Sequence, residues 1–182
     1  MESLIRNRYG ITLVELMVSM GIMSLVIFGA AGLFVNSSQS SARTQTQSNI
    51  DSDVAIAAEK LNNLLMETRS VTIDSNGLGL TYQLPPTNSD GTYTSSAKAL
   101  ETTFRRIYVS GTDLVTSAAP EVPILHNIPA VDPDTNTTLR IFQSGVGEKE
   151  IIVHLVSGRR ATAGAHVIYA VLTTRINCRN MQ

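Results

Sequence analysis

The chain has no tryptophan and one cysteine, Cys178, among 182 residues. A single thiol excludes an internal disulfide. Aromatic residues make up only 5%, and charge is nearly balanced, with 14 Lys and Arg against 15 Asp and Glu for a formal net charge of −1. That balance makes no electrostatic case for nucleic-acid binding. Arg105-Arg106 and Arg159-Arg160 are short basic pairs. In a strand, Arg105 and Arg106 point to opposite faces and form no patch. Arg175 and Arg179 add charge near the end, without the aromatic interleaving of a single-strand binder.

Catalytic motifs are missing as well. His126, His154 and His166 are scattered, with no HExxH and no paired cysteines to hold a metal. His154 and His166 fall in expected strands and read as hydrogen-bonded structural residues. There is no GxSxG elbow and no glycine-rich phosphate loop after a strand. The stretch Asp132-Pro133-Asp134-Thr135-Asn136 places oxygen ligands at alternate positions, as Ca²⁺ prefers. An EF-hand loop would also need glycine at position 137 and glutamate at 143, where Thr137 and Gln143 stand. It reads as a solvated turn. No catalytic residue, cofactor or metal is expected.

What the chain does have is a long apolar run over residues 11–35, long enough to cross a hydrocarbon core of about 30 Å at about 1.5 Å per residue. Arg6 and Arg8 precede it, which predicts a cytoplasmic N-terminus and an exported remainder. An ordinary signal anchor fits that pattern, as does a secretory signal cut near Gly29-Ala30-Ala31. Neither accounts for Glu15, the only formally charged side chain between residues 11 and 42. A carboxylate costs about 2.5–3.5 kcal/mol at the centre of a membrane helix, and less near its end.

Gly10-Ile11-Thr12-Leu13-Val14-Glu15 resembles the class III signal of type IV pilins and type II secretion pseudopilins. In that family a short basic leader ends in glycine, a hydrophobic residue follows, and glutamate is fifth in the mature chain. Ile11 stands where the family usually has Phe. The resemblance implies cleavage after Gly10 by a prepilin peptidase and N-methylation of Ile11. Glu15 would neutralise the N-terminal amine of a neighbouring subunit in a filament, a pairing that makes a charge in hydrocarbon tolerable. Cleavage would remove Glu2, Arg6 and Arg8, taking the formal charge from −1 to −2. The implied partners are other major and minor pilins or pseudopilins, an inner-membrane assembly platform and membrane lipid, with no nucleic acid.

Beyond residue 35 a polar stretch over 36–49 holds no Gly or Pro. Ile50, Val54, Ala57, Ala58, Leu61, Leu64 and Leu65 then recur at helical spacing, with polar residues between them. One helix is expected over about residues 11–69, about 90 Å long; the alternative is a break near 37–41. After Ser70 the period changes. Strands are expected over 71–73, 78–84, 103–109, 113–116, 122–128, 139–142, 150–156 and 166–176, with turns at 74–77 and 110–111 and a polar loop over 87–97. Pro123 confines its strand to an edge.

The expected division is a leader at 1–10, a membrane or filament-core helix at 11–35, an amphipathic continuation at 36–69 and a sheet domain at 70–182. The fold class is α+β, a long N-terminal helix packed on a mainly antiparallel sheet, and it too resembles the pilin family. The hairpin over 105–115, the segment 123–128 and the final strand ending in Cys178-Arg179-Asn180 resemble PilW-like minor pilins and J-class pseudopilins. The resemblance implies a minor subunit that primes or joins a filament. The rival reading is a membrane-anchored exported binding domain that never polymerises.

Overall fold

The computed structural model describes residues 11–86, 88, 101, 103–117, 121–147, 149–162 and 165–178. The leader with Gly10, most of the expected 87–97 loop, and Arg179 lie outside them. The chain divides into two units, Met1–Arg43 and Thr44–Gln182. A single helix, α1 (Leu13–Met66), contributes residues to each. The polar stretch over 36–49 is helical throughout, as its lack of Gly and Pro predicts, and there is no break near 37–41.

In the first unit α1 carries large apolar side chains on all sides, with Leu25 and Phe28 exposed by 73% and 78%. A helix that is hydrophobic all round needs an apolar surrounding. This one is long and apolar enough to cross a membrane.

In the second unit α1 becomes one-sided. Ile50, Val54, Ala57, Ala58, Leu61 and Leu65 are buried. They match the expected stripe, except that Leu64 is only half-buried. Burying such a side chain contributes about 1.5–3 kcal/mol for each Val, Leu or Ile. The helix ends at Met66, three residues short of the expected end. Thr68 explains this: its backbone N–H and its hydroxyl both donate to the Leu65 carbonyl, at 3.2 and 2.7 Å. The next N–H, on Arg69, donates to Gln83 and starts the sheet.

The stripe packs into two antiparallel sheets, where a single one was expected. The first is a five-stranded meander of β1 (Ser70–Ile73), β2 (Gly79–Gln83), β3 (Arg105–Ser110), β4 (Asp113–Thr116) and β5 (Val122–Leu125). Pro123 lies in β5, at the edge of that sheet. The β1–β2 turn uses Gly77 at φ +71°, and the β3–β4 turn uses Gly111 at φ +63° as the first of two loop residues. The second sheet has β6 (Phe142–Ser144), β7 (Glu150–Arg160) and β8 (Val167–Asn177) in that order.

The division into two sheets comes from the segment between β5 and β6. The ladder stops at Leu125 instead of running to residue 128, and at Asn127 the backbone turns left-handed, with φ 58°. The carbonyls of His126 and Asn127 then accept from the Ser157 hydroxyl at 2.8 Å and the Gly158 N–H at 2.9 Å. Residues 139–141 are not a strand either. The N–H groups of Ile141 and Phe142 both donate to the Gly77 carbonyl at 2.9 Å, and the Ile141 carbonyl accepts from His154 at 2.8 Å. These backbone groups join the sheets rather than extend one of them. Leu139, Ile141 and Phe142 are nonetheless buried in the common core.

Candidate functional site

The most specific sequence pattern falls at the start of α1, and local chemistry builds it. Thr12 precedes the first helical residue, and Glu15 follows three positions later. The Thr12 hydroxyl accepts the Glu15 backbone N–H at 3.2 Å. Glu15 Oε2 in turn accepts both the Thr12 backbone N–H and the Thr12 hydroxyl at 3.3 Å. This reciprocal pair is a capping box, satisfying two N–H groups that a helix start leaves without partners. A negative charge in the first turn also complements the helix dipole.

The cap has a chemical consequence. It fixes the Glu15 side chain through one carboxylate oxygen, while Oε1 has no partner among the described residues. A carboxylate so held can accept hydrogen bonds from an outside cation. Ile11 precedes the helix and is 77% exposed. No hydrogen bond among the described residues joins it to Glu15. Thr12 was not singled out by the sequence reading, although Thr-x-x-Glu ahead of an apolar run is itself a signal for it.

Other residues weighed from sequence have mainly structural settings. His154, on β7, faces Asp132 through Nε2 at 3.1 Å and the Thr173 hydroxyl through Nδ1 at 2.8 Å. It is the hydrogen-bonded residue its strand position predicts. His166 is not: it lies just before β8, exposed and without a hydrogen bond among the described residues. His126 pairs with Asp113 at 2.9 Å on the surface.

The Asp132 turn is closed by its own polar groups. Asp132 Oδ1 accepts the Asp134 N–H at 2.9 Å, and its carbonyl accepts the Asn136 N–H at 2.9 Å. The Asp134 N–H is the main cause holding the Asp132 carboxyl below its ordinary value of 3.8; burial opposes this, while His154 and Thr135 add to it. No group of three His, Cys, Asp or Glu converges as a metal site among the described residues.

The basic pairs also have local partners. Arg105 meets Glu101 at 3.2 Å, while Arg106 meets Asp74 at 2.6 Å and lies over the Tyr108 ring. Arg159 stands 4.0 Å from Asp53, and Arg175 stands 3.6 Å from Glu150. A cleft of about 380 Å³ beside β1 holds the Glu150 carboxylate, which is already bonded to the Val146 N–H. Chemistry thus concentrates at the helix start.

No curated protein and no solved structure matches the chain. Residues 5–31 match the family model of the prokaryotic N-terminal methylation motif, which spans the Thr12–Glu15 cap. The chain therefore carries a class III signal like that of type IV pilin precursors, and this signal together with the apolar helix supports membrane anchoring.

Proposed function

We propose that the protein is a minor pilin or pseudopilin, a structural subunit that primes or joins a type IV pilus or type II secretion pseudopilus. The observation that carries this reading is the methylation motif at residues 5–31, with Glu15 held by Thr12 inside it. A prepilin peptidase cuts after Gly10, and Ile11 becomes the methylated N-terminus. Residues 11–35 are the single membrane-spanning and filament-core segment, with the N-terminus cytoplasmic. Residues 36–69 continue the helix, and residues 70–182 form the exported sheet domain.

The energetics favour assembly. A carboxylate in an apolar surrounding is costly alone and tolerable when paired. Glu15 Oε1, without a partner among the described residues, is the acceptor for the amine freed at Ile11 of an adjacent subunit. Its partners are then other pilins or pseudopilins, the inner-membrane assembly platform and lipid. The PilW-like or J-class assignment rests on the hairpin over 105–115, the segment 123–128 and the final strand.

The first test is the N-terminal mass of the protein from its native membrane. A chain beginning at methylated Ile11 supports the reading; a start at Gly32 or an intact Met1 overturns it. The second is Glu15→Ala. A filament subunit loses assembly or priming, whereas a simple anchored binding domain inserts as well as before or slightly better.

A further inference from the structure

We propose that Asn136 is an acceptor for N-linked glycosylation, with Thr138 and Asp134 completing the recognised segment. The full sequence holds two Asn-x-Ser/Thr triplets without proline in the middle, at 36–38 and 136–138. Such a triplet is a weak signal alone and gains meaning from its setting. The two settings here are opposite.

Asn36 lies inside α1, two turns or more from either end. Its segment would have to leave a continuous helix to enter a transferase groove, and helix formation is cooperative. Asn136 lies in an exposed loop between Val131 and Thr138, which are themselves joined as an isolated bridge. Its backbone is left-handed, with φ 54°, at the point where the loop reverses. Asparagine is among the few residues that tolerate this conformation.

The polar groups needed for recognition are all available. The Asn136 carboxamide and the Thr138 hydroxyl make no hydrogen bond among the described residues. The intervening hydroxyl, on Thr137, is instead turned onto Thr135 at 2.8 Å. Asp134, two positions before Asn136, offers an exposed carboxylate that a cationic side chain of the transferase can pair with. Asp132 is buried and bonded to His154, so the base of the loop is tied to β7 and the tip carrying residues 133–138 faces solvent.

The donor is a lipid-pyrophosphate-linked oligosaccharide. The Asn136 amide nitrogen bonds to the anomeric carbon of the first sugar and gives up one proton. The bond from that carbon to the pyrophosphate oxygen breaks, and the lipid pyrophosphate leaves with the electron pair. This inference rests on the exported reading of the sheet domain, because transfer from such a donor acts on chains delivered across the membrane.

The test is mass spectrometry of one tryptic digest of the protein from its native membrane, reading the N-terminal peptide and the peptide ending at Arg140. The Arg140 peptide is expected to carry the added mass of one or more sugar residues, with fragment ions placing it on Asn136. Asn136→Gln and Thr138→Ala abolish the shift, Thr138→Ser retains it, and Asp134→Asn lowers occupancy. The peptide containing Asn36 stays unshifted. An unshifted Arg140 peptide beside an N-terminus at Ile11 overturns the glycan and leaves the filament reading standing. An unshifted peptide with Met1 intact overturns both. A shifted peptide with Met1 intact supports the glycan and overturns the processing reading.

Discussion

His154 Nε2 stands 3.1 Å from Asp132 Oδ2, joining a strand of the second sheet to the turn that precedes it by 22 positions in sequence. Asp132 is only 8% exposed, yet it accepts the Asp134 N–H as well. Together these contacts make the turn between the sheets part of the folded core rather than a loose connection.

This carboxyl predicts a pH dependence of a definite sign. Its folded-state value is depressed, mainly by the Asp134 N–H, below an ordinary 3.8. Its contribution is therefore complete above the unfolded value and is lost as pH falls through the lower, folded one. Urea midpoints of the protein in detergent should fall on this acid limb. Asp132→Asn should be less stable at pH 7, with the gap to the parent closing below about pH 4. A gap that stays constant to low pH would refute the assignment.

Gly158 interrupts β7 without breaking it, because the Tyr169 ring across the ladder occupies the space a side chain would need. A Cβ at position 158 would lie 2.7 and 2.8 Å from ring carbons of Tyr169. Gly158→Ala should cost about 1–3 kcal/mol by overpacking. Combined with Tyr169→Ala, the loss should be smaller than the sum, since the two sites share one volume. Additive losses in denaturation would mean that the ring is not the obstacle.

Cys178 follows β8 directly and is 1% exposed. Burial pushes its thiol above the ordinary value of 9.0, with the Thr68 hydroxyl acting the other way. The thiolate is the reactive form, so alkylation in the native protein should run about 10–10³-fold slower than in urea, depending on how far the end of the chain opens. Equal rates would show that the thiol is accessible. A non-reducing gel of the native protein should show no disulfide-linked dimer.

Thr12→Ala removes the cap that holds Glu15. The first turn of α1 should lose about 0.5–2 kcal/mol, and amide exchange at Glu15 should rise by about 2–30-fold in detergent micelles. Thr12→Ser should restore most of the protection. Unchanged exchange in the alanine variant would show that the Thr12 hydroxyl does not carry the cap.

Much of this architecture is written locally. The 11–35 run, Thr12-x-x-Glu15 and the stripe from Ile50 to Leu65 specify a helix, its start and its buried side through spacing alone. Gly77, Gly111 and Pro123 likewise mark two turns and an edge, because backbone geometry at those positions depends on the residue itself. The class III signal is legible for the same reason, being a contiguous run of residues.

What only the tertiary structure decided are relationships between distant residues. The division into two sheets depends on where the carbonyls of Gly77, His126, Asn127 and Ile141 find donors, and backbone groups look alike in any sequence. The extension of β7 beyond residue 156 depends on Ser157 to Arg160 finding partners in Ala170 to Val167 of β8. The path of the chain beyond the Thr68 stop of α1 depends on Gln83 capturing the Arg69 N–H. Periodicity shows which face of an element is apolar. It does not say which partner will cover that face, since hydrophobic burial is non-directional and the partner is chosen by packing across the whole chain.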